Sequence, residues 1–153
     1  MDTSTLKFYQ GEITPGENIV FVFGSNPEGR HGAGAAKVAR EQFGAIYGQG
    51  EGLQGNAYAL PTKDLRVQGT AYCSISQKDI TRNIQKMYAC AVLHPDLKFM
   101  VAYRNTYKKS LNGYTGIQMM RMFVNAAGTT KEIPSNVYFS EEWFNFLTKA
   151  ENL

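Results

Sequence analysis

The stretch FVFGSNPEGRHGAGAAKVAREQFGA, Phe21–Ala45, joins an apolar run to an amphipathic one through a loop, and five glycines fall within it. Just upstream, Ile19–Phe23 (IVFVF) is a continuous run of β-branched and aromatic residues closed by Gly24. That pattern predicts a buried strand. Downstream, Ala36, Ala39 and Phe43 recur at i, i+3 and i+7 in alanine-rich sequence, which predicts a helix over about 33–43, stopped by Gly44.

The same alternation continues along the chain. Ala57–Leu60 reads as a second strand, shortened by Pro61, and the intervening GQGEGLQG reads as a loop. Ser76 and Asp79 match a capping box with Asp in place of Glu, and Ile80, Ile84, Met87, Tyr88 and Ala91 follow at helical spacing until Pro95 and Asp96. Lys98–Tyr103 (KFMVAY) is a further buried-strand pattern. From Thr115, Ile117, Met120, Val124 and Ala127 form another apolar stripe, with Gly128 as its stop. Val137–Phe139 is a brief strand, and Ser140 stands where it can cap a last helix with Glu141 and Glu142 at its positive end and Trp143, Phe144 and Leu147 on its buried face. Strands alternating with helices predict one α/β domain over residues 1–153, a three-layer α/β/α sandwich with a mostly parallel, mixed sheet.

Composition narrows the function. With 43% apolar, 19% charged and 12% aromatic residues among 153, the chain can fill one core. Its formal charge of +3 is spread without a block of like charges. Such a balance does not point to nucleic acid, and a phosphorylated small molecule fits it equally well. Cys73 and Cys90 form neither a disulfide framework nor a zinc motif and are expected to pack; His31 and His94 are too far apart for a local metal site. No metal and no cofactor is called for. The first ten residues lack a basic segment followed by an apolar stretch, and nowhere do eighteen apolar residues run together, so a cytoplasmic protein without a membrane partner is expected.

In a parallel α/β sheet, ligands settle where strand carboxyl ends lead into helix amino termini. There the free N–H groups and the helix dipole attract phosphate, and glycine lets the backbone approach an anion or take positive φ. Gly29, Gly32 and Gly34 stand at this point, although a sharp turn and a close helix–sheet contact would also account for them. No G-x-x-x-x-G-K-[ST] string is present, and Gly32–Lys37 meets only half of the G-x-G-x-x-G fingerprint. A second glycine loop, Asn112, Gly113, Tyr114, Thr115 and Gly116, occupies the equivalent place after the strand at Lys98. Two such loops could grip the two phosphates of one diphosphate.

These motifs resemble the macro domain: a strand ending in Asn, a glycine-rich loop opening an alanine-rich helix, and a later G-x-x-G loop opening another. Asn26, Gly32 to Ala36, and Gly113 to Gly116 stand at the matching positions, and Ala59–Asp64 (ALPTKD) resembles the strand end of some macro-type ADP-ribosyl hydrolases. The whole chain also resembles a family of small proteins found in T-even-like bacteriophages and bacteria. The resemblance implies a cleft for ADP-ribose or a related NAD-derived nucleotide diphosphate, with Gly24, Ser25, Asn26, Arg30, Ala33 and Thr62 on one side and Arg104, Asn105 and Asn112 on the other. Should the chain hydrolyse an ADP-ribosyl bond, Lys63 would steady a ribose or leaving oxygen, Asp64 would activate water, Asn26 would orient the ribose, and His31 is an alternative base. A reader without turnover and an RNA- or protein-binding accessory are the other two classes. Tyr103, Tyr107 and Tyr114 are candidates for stacking on a base or ribose.

Overall fold

A computed structural model describes residues 3–67, 73–128 and 132–148. Along the chain come β1 (Lys7–Tyr9), β2 (Ile19–Ser25), α1 (Gly34–Gln42), β3 (Gly52–Gln54), β4 (Ala57–Pro61), α2 (Gln77–Leu93), β5 (Lys98–Val101), α3 (Gly116–Ala126), β6 (Val137–Ser140) and α4 (Phe144–Leu147). The strands form one mixed sheet in the order β1-β6-β5-β2-β4-β3, in which all neighbours are parallel except β3 and β4. The fold is therefore mixed α/β with a mostly parallel sheet.

The apolar run that predicted β2 is central because both of its faces find partners. Val20 and Val22 join a core with Ile80, Ile84 and Met87 of α2 and Met119, Met120 and Phe123 of α3. The alternate residues Phe21 and Phe23 instead pack with Ala36 and Ala39 of α1 and with Phe43, whose ring stacks on Phe21 at 4.4 Å. Burying each such side chain stabilises the fold by about 1.5–3 kcal/mol. β2 lies between β4 and β5, with Val22 opposite Tyr58 on one side and Val101 on the other. Its carboxyl end is thus held from both sides.

Helix ends explain the element boundaries. Ser76 Oγ accepts from the Asp79 amide at 3.1 Å, as its spacing predicts, and Gly44 and Gly128 follow α1 and α3 with positive φ. The carboxyl end of α2 is closed from a distance: Asn136 Nδ2 donates to the carbonyls of Ala91, His94 and Leu97 at 2.9, 3.0 and 3.0 Å.

Five points differ from what the sequence predicts. β1 escapes periodicity because three residues carry no countable alternation, and β3 lies within the stretch read as a loop, where its pairing to β4 sets its form. β5 ends at Val101, so that Tyr103 leaves the sheet. Ser140 caps a 3-10 turn, Glu141–Trp143, and α4 beyond it has only four residues. Cys73 is exposed, not packed, in a turn with φ +52° whose amide donates to the Asn112 carbonyl. Among the described residues, no helix is long and apolar enough to cross a membrane.

Candidate functional site

A cleft of about 640 Å³ opens at the carboxyl ends of β2, β4 and β5, between the amino terminus of α1 and residues 108–112. On its first wall, Gly24 and Ser25 end β2, and Asn26 leads on through Arg30 into Gly32, Ala33 and Gly34. Asn26 shapes this loop. Its Oδ1 accepts from the Arg30 amide at 2.9 Å while its Nδ2 donates to the Arg30 carbonyl at 3.1 Å. Both polar atoms are engaged in the turn, which accounts for an Asn at this strand end without a ligand.

The glycines of this loop divide by cause. A Cβ at Gly24 would overlap the Tyr103 hydroxyl, and one at Gly29, which has φ +70°, would overlap the backbone of Gly48 and Gln49. These two are structural. Gly32 is different: it has no positive φ, none of the described residues lies within 4 Å of where its Cβ would stand, and it lines the cleft. Only the open space beside it bears on the absence of a side chain. The cap position of the helix that follows is Ala33, which has no side-chain oxygen to cap it. Among the described residues, the amides of Gly34, Ala35 and Ala36 meet no acceptor, and these residues line the cleft. A helix start left in that state carries about half a positive charge.

The second glycine loop is built the other way. Thr115 Oγ1 accepts from the Gln118 amide at 3.2 Å and Gln118 Oε1 accepts from the Thr115 amide at 2.8 Å, a complete capping box. Gly116 N donates to the Lys108 carbonyl at 3.3 Å and Ile117 N to the Thr106 carbonyl at 2.9 Å. Every amide at this helix start already has an acceptor. Gly116 is there for contact, since a Cβ would overlap the Asn105 carbonyl. Asn112 lines the cleft; Gly113, Tyr114, Thr115 and Gly116 do not.

The floor joins the strand ends. Tyr103 Oη lies 3.1 Å from Thr62 Oγ1 and accepts from Asn112 Nδ2 at 3.3 Å. Burial raises the phenol pKa to about 12, so it is neutral around pH 7. Tyr114 is also buried and donates to the Ile75 carbonyl at 2.6 Å, whereas Tyr107 is exposed and meets Phe146 edge-on. Leu65 and Leu111 are the large apolar residues of the lining, beside four alanines, and both are exposed.

Charge in the cleft has one sign. Arg30, Lys63, Arg104, Lys108 and Lys109 line it, and among the described residues no Asp or Glu does. Arg104 is anchored, donating to the Gly11 carbonyl at 2.6 Å and standing 3.8 Å from Glu142. The other four cationic side chains have no hydrogen-bonding or ionic partner among the described residues. The sequence showed Lys108 and Lys109 only as an adjacent pair; the fold places them in the lining of the same cleft as the first glycine loop.

Two residues expected to do chemistry lie outside the lining. His31 is fully buried against Phe23; its Nε2 donates to the Gln49 carbonyl at 3.0 Å and its Nδ1 meets no hydrogen-bonding partner. Asp64 holds Arg66 through two side-chain hydrogen bonds, Nε to Oδ1 and Nη2 to Oδ2, both 2.9 Å. That guanidinium keeps the carboxyl pKa down at about 2. Arg66 also stands 3.2 Å from Glu28 and so ties the loops after β2 and β4 together. Among the described residues, no three His, Cys, Asp or Glu side chains group to hold a metal.

Fold and cleft together define the class: a mixed α/β protein with an all-cationic crevice at the carboxyl ends of its central strands. Compared with protein-family models, with curated proteins and with solved structures, the chain matches none.

Proposed function

We propose that the chain is a macro-like, three-layer α/β/α domain that binds ADP-ribose or a related nucleotide diphosphate in this cleft. One observation carries the reading: an uncapped helix start, whose Gly34, Ala35 and Ala36 amides meet no acceptor among the described residues, borders a large crevice lined by five cations and, among those residues, no carboxylate. A phosphate placed there gains charge-assisted hydrogen bonds, each worth about 1.5–3 kcal/mol. Gly32 leaves the approach open. Leu65 and Leu111 offer apolar cover to a base or sugar face.

Binding without turnover is the form best supported. Among the described residues the cleft lining holds no carboxylate and no imidazole: Asp64 is committed to Arg66 and His31 to the Gln49 carbonyl. Lys63 remains available to steady the ligand, and Asn26 acts as a brace for the loop.

Calorimetric titration with ADP-ribose tests this, with Gly32→Val in parallel. The parent protein binds saturably. The valine variant melts within about 2 °C of the parent, since an exposed substitution costs within roughly 0.5 kcal/mol, yet binds at least ~10-fold more weakly through loss of about 1.4 kcal/mol of phosphate contact. No binding by the parent, or equal binding by the variant, overturns the proposal.

A further inference from the structure

The amino terminus of α3 has no free amide, so a second phosphate must be held by something else if the cleft takes a diphosphate. Lys108 and Lys109 are exposed, line the cleft beside Asn112, and their ammonium groups meet no anion among the described residues. Lys63 enters the same cleft from the end of β4, in the same state. Lysine is a compact, rotatable point charge without the fixed fork of Arg or the fixed direction of a backbone amide. A seat made of such groups reads charge more than shape.

We propose that Lys108 and Lys109, assisted by Lys63, form a phosphate seat made of side chains, which favours ligands whose outer phosphate is terminal. This rests on the reading of the cleft as a nucleotide diphosphate site, and it names the class within it: a nucleoside diphosphate, or a conjugate with a free phosphate end, ahead of a ligand with a bridging diphosphate alone. The first phosphate sits on the free amides of α1; the outer one faces the lysines. A terminal phosphate carries more negative charge than a bridging one and gains more from the cationic side chains that line one crevice.

The test compares the parent with Lys108→Gln/Lys109→Gln in calorimetric titrations of AMP, ADP and ADP-ribose. Both lysine side chains are exposed and unpaired, so the double variant should keep the parent melting temperature. The expected loss of affinity is largest for ADP, at ~10-fold or more by removal of two charged contacts, intermediate for ADP-ribose, and least for AMP, whose one phosphate occupies the α1 amides. Equal losses for all three ligands would mean general attraction to a basic crevice and overturn the seat. No loss for any ligand would overturn it too. Failure of the parent to bind any of the three sinks the reading of the cleft itself, a result distinct from binding that the lysines leave untouched.

Discussion

The two glycine loops look alike along the chain and differ in what their helices do with their first amides. At α1 the cap position is Ala33, and Gly34, Ala35 and Ala36 keep their N–H groups free at the cleft. At α3 Thr115 and Gln118 cap each other, and the carbonyls of Thr106 and Lys108 take the next amides. A helix start can be a binding site or a finished joint. Which of the two it is depends on whether acceptors from the chain already fill it.

The largest break in this comparison should come from Gly116→Ala. Its Cβ has to displace the Asn105 carbonyl, which also accepts from Trp143 Nε1 at 2.8 Å. Overpacking of this kind costs up to about 3 kcal/mol, and for a chain of this size that lowers the melting temperature by roughly 6–12 °C. Calorimetry that found the variant as stable as the parent would show that the joint can relax.

A smaller and sharper change exchanges the two states. Ala33→Asp supplies α1 with the cap it lacks: stability should rise by about 1 kcal/mol, and ADP-ribose should bind at least ~10-fold more weakly because a carboxylate now occupies the phosphate position. Thr115→Ala does the reverse at α3. It should lower stability by about 1 kcal/mol while leaving nucleotide affinity unchanged. Melting curves with and without nucleotide separate the two effects, and an affinity loss in Thr115→Ala would place ligand at the second helix.

The smallest expected effect concerns Asp64. Arg66 holds its pKa at about 2 against an ordinary 3.8. A lowered carboxylate pKa stabilises the folded chain above the unfolded value, and that contribution is lost as pH falls through the folded value near 2. Between pH 5 and 8 Asp64 should therefore not titrate, and nucleotide binding should show no dependence on it. Following the carboxyl by NMR checks this; a midpoint above pH 5 would return Asp64 as a candidate base.

Much of the fold was legible because its signals are local. The apolar run 19–23, the alanine-rich stripe after the first glycine loop and the stripe from Ile80 each bury a face that periodicity marks, and all three became elements close to the expected bounds. The strands β1 and β3 were not legible: with three residues each, they are defined by partners far along the chain. The site was legible in outline only. Asn26, Arg30, Gly32, Ala33, Gly34, Thr62, Lys63, Arg104, Asn105 and Asn112 do line one cleft, while Gly113 to Gly116, His31 and Asp64 do not. His31 was indistinguishable in sequence from an exposed loop histidine, since its burial depends on Phe23 and the Gln49 segment.

Residue pattern was enough for the alternation of strands and helices, the burial of the apolar run at Ile19–Phe23 and the presence of a glycine loop before an alanine-rich helix. Even the closure of α3 had a local trace, the Thr-x-x-Gln of Thr115 and Gln118, hidden inside what read as a glycine loop. Tertiary structure alone decided that the remaining α3 amides are taken, that Gly24 and Gly29 serve contacts, and that cations from three strand ends face one crevice. The reason is physical: periodicity reports which face of an element is buried, whereas hydrogen-bond satisfaction and local charge depend on groups that only folding brings within a few ångströms.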